Sequence, residues 1–352
     1  MRYLLWAVLL GCCSLAAQNR AGRSWKFAVS GDSRNCGDIV MPAIAAGVHK
    51  SGSAFYWHLG DFRAIYEVDE DMSAPAQLGL HNKPLETLDY LKDAWPDFIE
   101  HQIVPFGTLP VYLAIGNHET IPPVSREAWL VQFADWLETP AIRAERLKDD
   151  PTDHKLHAYY HWIERNIDFI SLDNATPEQF DPDQMKWLHG VLARDEASAQ
   201  IRTIVVGMHE ALPGSRSNMH SMSESERGNL SGREVYEALW HVQEAAHKRV
   251  YVLASHSHFY MDNIFETPDW KDKVLPGWII GTAGAQRYKL PSETTPAQHA
   301  QTNVYGYMIA SVTRDGEVSF EFQRLSLDDL RAISGKAYPD PLIRWCYENN
   351  HQ

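Results

Sequence analysis

The sequence predicts an α/β fold in which helices cover buried β-sheets. Short apolar runs recur along the chain, segments of helical periodicity alternate with them, and a hairpin pattern follows near the C-terminus. The apolar runs are rich in aromatic and β-branched residues and nearly continuous in hydrophobicity, which is typical of strands buried in a sheet. They cover residues 25–30, 54–59, 109–115, 167–172, 201–206, 250–254 and 278–280.

Helical periodicity between these runs is present at residues 84–103, 126–137, 183–192 and 232–247. Near the C-terminus, residues 306–313 and 317–324 flank an Asp315-Gly316 pair, a sequence that favours the tight turn of a β-hairpin. No internal repeat or low-complexity tract divides the chain. We therefore expect one domain over residues 24–330, with helical insertions near 66–108 and 121–157 and a C-terminal tail at 331–352.

The composition is that of a protein with a sizeable hydrophobic core. Of 352 residues, 44% are hydrophobic and 22% are charged, which argues against disorder and coiled coil. The formal net charge of -14 argues against a basic surface extending over the whole chain, so no nucleic-acid-binding domain is expected. An anionic substrate would instead need local cations or metal ions to attract it.

The N-terminus has the pattern of a signal peptide at residues 1–16. A basic start at Arg2 precedes the apolar residues 4–10, and Ser14 and Ala16 provide small residues for cleavage. We expect an exported protein that is periplasmic, secreted or lipid-anchored. The residues 9–12 also resemble a lipobox, which would anchor the chain through a lipidated Cys12, and a hydrophobic first helix of a cytosolic protein is the remaining alternative.

No later stretch approaches the ~20 apolar residues of a transmembrane helix, so none is expected. Two cysteines remain beyond the N-terminal segment, Cys36 and Cys346. Export would permit a disulfide between them, and two isolated thiols are an equally good interpretation.

Polar side chains follow six of the predicted strands. Loops at the carboxyl ends of strands can present side chains from several strands to one point, so this joint pattern predicts a shared site. Each residue alone has a simpler explanation, because aspartate and asparagine favour turns and single histidines are usually packed or solvated. The candidate metal ligands are Asp32, Asp61, Asn117, His209, His256 and His258.

The chemistry of these side chains indicates divalent metal ions. Carboxylate, amide oxygen and imidazole without thiolate form a mixed nitrogen and oxygen set that suits Mn, Fe or Zn. A carboxylate shared by two such ions is the pattern of a two-metal hydrolytic site, with the ions about 3.5–4 Å apart. We expect two metal ions, divalent or iron-type.

The ordered motifs resemble those of the calcineurin-like metallophosphoesterase superfamily, with the purple acid phosphatases and related secreted phosphohydrolases as the nearest branch. The matching motifs are Gly31-Asp32, Gly60-Asp61, Gly116-Asn117-His118-Glu119, His209 and His256-x-His258. The resemblance spans roughly residues 25–325. It implies a four-layer αββα sandwich with two facing mixed β-sheets, and an exported phosphoesterase that cleaves phosphate mono- or diesters of a small substrate with a metal-bridging hydroxide.

The resemblance also assigns roles to the motif residues. Asp61 would bridge the two metals, and Asp32 and His258 would complete the first site. The second site would take Asn117, His209 and His256. His118 would be catalytic without binding metal, contacting the phosphoryl oxygens or protonating the leaving group.

Two departures from the family pattern affect the first metal. Many members carry a histidine two residues after the first aspartate, where this chain has Arg34, and purple acid phosphatases place a tyrosine where this chain has Ala64. Tyr66 comes two residues later. A weaker first site is therefore expected, and a catalytically weak or inactive envelope protein that retains one metal is the alternative function.

Arg34 and Arg63 each lie two residues after a predicted ligand aspartate. Arginine binds phosphate oxygens in a bidentate manner and keeps its charge, so both are candidate substrate-binding residues. The equally good alternative is that each pairs with a neighbouring carboxylate and supports the site from behind.

Overall fold

Two mixed β-sheets pack face to face at the centre of the fold. The computed structural model describes residues 24–77, 85–175, 179–217, 220–291 and 299–352. The predicted signal peptide, including Cys12, lies outside the described residues. In the described part of the chain, no helix has both the length and the apolar character that crossing a membrane requires.

The first sheet has five strands in the order β12-β11-β1-β2-β3. The strands β1, β2 and β3 run parallel, while β11 and β12 form the antiparallel hairpin that the Asp-Gly turn predicts. Their bounds are β1 Trp25–Ser30, β2 Tyr56–His58, β3 Val111–Leu113, β11 Tyr305–Val312 and β12 Val318–Leu325.

The second sheet has seven strands in the order β10-β8-β9-β7-β6-β5-β4. Its centre, β5, β6, β7 and β9, is parallel, and the remaining strands pair antiparallel at the two edges. The bounds are β4 Tyr160–Glu164, β5 Ile167–Ser171, β6 Thr203–Gly207, β7 Arg249–Ala254, β8 Tyr260–Asp262, β9 Gly277–Ile280 and β10 Ala300–Gln301. All seven runs predicted as strands contain strands in the structure.

Ten α-helices occur in the described residues. They are α1 Gly37–Ser51, α2 Glu70–Gln77, α3 Thr87–Phe98, α4 Arg126–Gln132, α5 Ala134–Leu137, α6 Pro140–Asp149, α7 Pro182–Ala197, α8 Glu226–Ala245, α9 Leu327–Ser334 and α10 Asp340–Asn349. A π-helical turn at Ile99–Ile103 extends α3. Helices therefore occupy both stretches where insertions are expected, near 66–108 and 121–157.

Aromatic side chains fill the space between the sheets. Phe27 on β1 meets Phe169 on β5 edge to face, with ring centroids 5.1 Å apart, and Trp57 on β2 meets Trp162 on β4 at the same distance. The apolar face of α1 covers the outside of the first sheet, and α7 and α8 cover the outside of the second. The result is the four-layer αββα sandwich, which confirms the predicted fold class.

Two features of the fold lie outside the sequence-based expectations. Helix α1 was not among the predicted helices, although its residues Ile39, Ile44 and Val48 are buried against the first sheet and Gly52 ends it in a left-handed conformation. The expected C-terminal tail, residues 331–352, forms the second half of α9 and all of α10, and a disulfide joins Cys36 to Cys346. Of the two interpretations of these cysteines, the structure has the disulfide.

Candidate metal centre

Sharp turns at the ends of three strands direct candidate ligands to one place. Asp32 follows β1, Asp61 follows β2 and His256 follows β7, and each has a positive φ, of 58°, 60° and 64° respectively. Non-glycine residues rarely adopt this left-handed conformation, and it costs of order 1–3 kcal/mol. Three such residues at neighbouring strand ends are typical of a functional site.

Glycines allow the loops to approach each other closely. A side chain at Gly116 would place its Cβ 2.3 Å from Asp61 Oδ1, and one at Gly60, with φ of 93°, would lie 2.6 Å from the Gly116 nitrogen. The glycines of the Gly-Asp and Gly-Asn-His-Glu motifs are therefore steric requirements of this packing.

Five of the six predicted ligands form two groups of metal-ligating atoms that share one carboxylate. The donor atoms of Asp61, His209 and His256 lie within 4.8 Å of one another, and so do those of Asp32, Asp61 and His258. We call these the second triad and the first triad, after the metals that the resemblance assigns to them. Asp61 belongs to both, which is the position of a bridging ligand.

Hydrogen bonds turn the histidine rings toward the shared carboxylate. His209 Nδ1 donates to the Leu59 carbonyl at 2.9 Å, and His258 Nδ1 donates to the Gln286 carbonyl at 2.6 Å. Both Nε2 atoms are therefore free to face the cluster, an arrangement usual for metal-binding histidines. His209 Nε2 lies 2.9 Å from Oδ1 of Asn117, the sixth predicted ligand, and 3.2 Å from Asp61 Oδ1.

Charge and burial shift the pKa values of these groups in opposite directions. Burial would raise the pKa of Asp61, but His118, His209 and Arg34 outweigh it and hold that pKa well below its usual value. Burial would lower the pKa of His209, but the carboxylate of Asp61 outweighs it and raises that pKa to about 10. Burial lowers the pKa of His256 far below its usual value, which keeps this imidazole neutral and able to bind metal.

The residues of the two triads fit the predicted metal ions. Asp32 Oδ1 and Asp61 Oδ2 are buried carboxylate oxygens without a hydrogen-bond partner among the described residues. Such oxygens are costly to bury, and a cation would compensate them. The nitrogen and oxygen donors around them are those that Mn, Fe and Zn accept.

Arg34 lies directly beside the first triad. Its Nη2 is 3.3 Å from His258 Nε2, the nitrogen that a metal would need, and its Nε is 3.7 Å from Asp61 Oδ2. Hydrogen bonds to the hydroxyls of Tyr66, at 3.1 Å, and Tyr288, at 3.4 Å, hold the guanidinium in place. The sequence places Arg34 near the site, but it does not reveal that Arg34 and a metal would compete for His258 Nε2.

Arg63 is not brought to the site. Its guanidinium is fully buried and donates to Asp38, Asp71 and Asp97, and the Asp69 carboxylate lies 3.9 Å away. These carboxylates accept from the terminal guanidinium N–H groups that a phosphate would need. Of the two interpretations of Arg63, the pairing with carboxylates applies, although with aspartates that are not predicted metal ligands, and we remove it from the substrate-binding set.

A third group of possible metal ligands surrounds the same arginine. Donor atoms of Asp38, Asp97 and His101 lie within 4.8 Å of one another, yet Arg63 donates to both of these carboxylates. The guanidinium already supplies the positive charge that a metal would bring. We therefore interpret this group as a buried ion cluster.

His118 lies at the edge of the two triads and belongs to neither. Its Nδ1 donates to the Ala64 carbonyl at 2.6 Å, so its Nε2 points to the cluster and lies 3.7 Å from Asp61 Oδ2. The backbone carbonyl of Ala64 therefore orients this ring.

Glu119 joins the two loops that carry the motifs. Its carboxylate accepts hydrogen bonds from the backbone nitrogens of Asp61 at 2.9 Å, Phe62 at 2.8 Å and Gly116 at 2.8 Å. Burial raises its pKa to about 8, and the nearby Asp61 carboxylate adds to the rise. Asp173 forms an ion pair with Arg126.

Aromatic side chains that the sequence analysis did not assign to the site surround it. The Tyr288 ring lies 4.0 Å from the His258 ring, and His220 stacks on Tyr288 at 5.1 Å. Tyr66 is 57% exposed, with its ring 5.2 Å from that of His118. Only the position of Tyr66 near the bridging aspartate gave a signal in the sequence, while Tyr288 and His220 lie far from the motifs.

The fold is similar to that of solved structures that include a purple acid phosphatase. A purple acid phosphatase from yellow lupin (Lupinus luteus) seeds superposes with a TM-score of 0.56 at 14% identity, covering 86% of this chain and 52% of that protein. PhoD superposes with a TM-score of 0.54 at 16% identity, covering 86% of this chain and 72% of PhoD. The chain has the calcineurin-like metallophosphoesterase fold.

The metallophosphoesterase fold of this chain thus corresponds to about half the length of the lupin enzyme. No protein-family model matches the sequence, and no curated protein matches it. The likeness is one of structure at low sequence identity.

Proposed function

We propose that this protein is a metal-dependent phosphoesterase that hydrolyses phosphate mono- or diesters of small molecules. The observation that carries this proposal is the pair of donor triads that share Asp61. A carboxylate shared by two metal ions would hold them close enough together to act on one phosphoryl group. The phosphatase neighbours support the same reaction class.

The residues have separate tasks in this proposal. Asp61 would hold both metals. Asp32 and His258 would hold the first metal, and Asn117, His209 and His256 would hold the second. When bound, the two ions would supply a nucleophilic hydroxide at neutral pH and compensate the charge of the phosphoryl oxygens.

Two further side chains would act on the substrate itself. Arg34, a buried guanidinium beside the first triad, would bind phosphoryl oxygens through two parallel hydrogen bonds. His118 would hold a proton at Nε2 for the leaving-group oxygen, because its Nδ1 is engaged by the Ala64 carbonyl. The exposed ring of Tyr66 beside His118 would border the leaving group.

A second candidate function is a catalytically weak protein that keeps one metal for structure or binding. It is favoured by the hydrogen-bond distance of 3.3 Å between Arg34 Nη2 and His258 Nε2. If this contact persists, the first triad lacks one of its three donors. The second triad does not have this conflict.

The two functions are separated by metal analysis and turnover. We expect two equivalents of Mn, Fe or Zn in the purified protein, and hydrolysis of p-nitrophenyl phosphate or bis-p-nitrophenyl phosphate with added Mn²⁺, Zn²⁺ or Fe. Asp61→Asn should lose most of the metal and nearly all turnover. Asp168→Asn is the matched control, since Asp168 is also fully buried but pairs with His161 on the other sheet.

The outcomes discriminate clearly. Unchanged metal content and turnover in Asp61→Asn would contradict the assignment of the bridge. One bound metal without turnover on either ester would favour the second candidate function.

We also propose that the protein is exported, with a signal peptide at residues 1–16 or a lipid anchor at Cys12. The Cys36–Cys346 disulfide supports an oxidising compartment. The mass of the mature N-terminus tests the proposal. Loss of the first residues or a lipid-modified Cys12 is expected, and an intact Met1 on protein recovered from the cytosol would contradict it.

A further inference from the structure

Residues 284–288, which we call the bridging segment, contact two of the three ligand-bearing loops of the first triad. The Gln286 carbonyl accepts the hydrogen bond that orients His258. The Ala285 nitrogen donates to the Asp32 carbonyl at 2.9 Å. The position of this segment therefore determines where two of the three donors of the first triad lie.

Residues 346–352, which we call the C-terminal clamp, hold the bridging segment from the other side. The Arg287 guanidinium is 3% exposed and donates to the carbonyls of Asn350, at 2.9 Å, and Tyr347, at 2.8 Å. These carbonyls lie at the C-terminal end of α10, where a cation is favoured by the helix dipole. The backbones of Arg287 and the clamp also exchange hydrogen bonds, from the Arg287 nitrogen to the Asn350 carbonyl at 3.1 Å and from the Gln352 nitrogen to the Arg287 carbonyl at 3.0 Å.

The clamp also holds the loop that carries Asp32. Asn350 Nδ2 donates to the Gly284 carbonyl at 3.0 Å, and the Cys36 nitrogen donates to the same carbonyl at 3.2 Å. The Cys36–Cys346 disulfide fixes this junction covalently, four residues after Asp32 and two after Arg34.

The second triad is oriented by a different set of contacts. His209 is held by the Leu59 carbonyl, and Asp61 lies in the loop that Glu119 fixes. Within the described ranges, these contacts involve neither the bridging segment nor the clamp. Asp61 and His209 therefore depend on other parts of the chain than Asp32 and His258 do, whereas the backbone nitrogen of His256 donates to Asp32 Oδ2 at 2.8 Å.

We propose that the C-terminal clamp is a positioning element for the first metal position. The proposal rests on the proposed function, because it assumes that both triads bind metal. Release of the clamp would let Asp32 and His258 move apart, while Asp61 and His209 of the second triad would keep their positions. Loss of a contact that orients a metal ligand typically lowers metal affinity about 10- to 100-fold.

Two variants release the clamp in different ways. Asn350→Asp keeps the size of the side chain and the disulfide, but places a carboxylate oxygen against the Gly284 carbonyl. Cys36→Ala with Cys346→Ala removes the disulfide. Arg344→Ala is the matched control, because Arg344 lies on the exposed side of α10 and pairs with Glu348.

The experiment is a calorimetric titration of the metal-free proteins with Mn²⁺. His258→Ala identifies the affinity of the second position, and His209→Ala that of the first. In both clamp variants we expect the first position to weaken about 10- to 100-fold and the second to weaken less, because Asp61 and His209 keep their contacts. Arg344→Ala should match the wild type at both positions.

The possible failures are distinguishable. Two unchanged affinities in the clamp variants, or an equal loss at both positions in parallel with the melting temperature, would overturn the inference and leave the proposed function standing. A wild-type protein that binds one Mn²⁺ or none would instead contradict the two-metal function on which the inference rests. If the double alanine variant does not fold, Asn350→Asp still decides the question with the disulfide in place.

Discussion

Replacing Arg63 by methionine is expected to destabilise the fold and leave substrate binding unchanged. Arg63 lies where α1, α2 and α3 meet, and it donates to one aspartate from each of these helices, Asp38, Asp71 and Asp97. Asp38 and Asp71 are almost fully buried, with exposures of 2% and 1%. Methionine fills a similar volume but leaves these carboxylates without the guanidinium.

The size of the effect follows from this burial. Removing one partner of a buried ion pair costs about 3–5 kcal/mol, because the remaining charge is left uncompensated. A domain has a total free energy of unfolding of about 5–15 kcal/mol. We therefore expect Arg63→Met to lose at least about 3 kcal/mol at pH 7, a large share of the total.

The loss should depend on pH. Burial raises the pKa of Asp38 to about 6 in the folded protein, against the opposing effect of Arg63. Without Arg63 this pKa rises further, so the folded variant holds protons that the unfolded chain releases. Stability from such a raised carboxyl is present at acid pH and is lost as the pH rises through the folded-state pKa. The deficit of the variant should therefore be smaller at pH 5 than at pH 8.

Urea unfolding followed by tryptophan fluorescence at both pH values measures the deficit. Arg249→Met is the control, since Arg249 forms an exposed ion pair with Asp315, and such pairs contribute about 0–1 kcal/mol. The KM for p-nitrophenyl phosphate should match that of the wild type. Unchanged stability together with a raised KM would refute this reasoning and restore Arg63 as a substrate-binding residue.

Three further predictions concern single side chains. Arg34→Ala should tighten Mn²⁺ binding at the first position, because it removes a cation and a competing donor from His258. It should also raise the KM for substrate. Weaker Mn²⁺ binding by calorimetry would contradict this prediction. His118→Ala should keep its metals and lose turnover about 10²- to 10⁴-fold on alkyl esters, but less on esters with good leaving groups. Loss of metal with equal loss on every ester would place His118 among the ligands. Burial raises the pKa of Asp195 to about 8, helped by the carboxylate of Asp168, so its contribution to stability is lost as the pH rises through 8. As the pH rises from 6 to 9, Asp195→Asn should therefore gain stability relative to the wild type in urea unfolding. A constant difference in the free energy of unfolding would contradict the raised pKa of Asp195.

Much of the fold could be predicted because its signals are local. Strands buried in the sheets need nearly continuous apolar residues, and the seven runs that meet this requirement all contain strands. The hairpin of β11 and β12 turns at the Asp315-Gly316 pair, which is visible in the sequence, and Gly316 has a positive φ of 86°. Helix α1 was missed although its apolar residues are evident, because Pro42 interrupts the segment and its tight packing on the first sheet compensates for this.

The ligands could be predicted for a related reason. Parallel strands bring their carboxyl ends to one edge of the sheet, so a residue that directly follows a strand needs no further information to be placed there. Asp32 and Asp61 follow the parallel strands β1 and β2 of the first sheet, and His256 follows β7 of the facing sheet. The aromatic side chains beside the site could not be predicted from the sequence, because Tyr288 and His220 reach it from other loops.

The two arginines show where local sequence information ends. Arg34 and Arg63 each follow a ligand aspartate by two residues, so the sequence gives them the same two interpretations. Their environments differ through elements far away in the chain: Arg34 meets His258 and two tyrosine hydroxyls, whereas Arg63 meets the acidic residues of three helices. Arg34 has one carboxylate beside it, that of Asp61 at 3.7 Å, which the proposed metals would share, whereas Arg63 donates to three carboxylates that leave no room for an anion. The function of an arginine near a metal site therefore depends on how many carboxylates the fold brings to it, and this number can be read only from the tertiary structure.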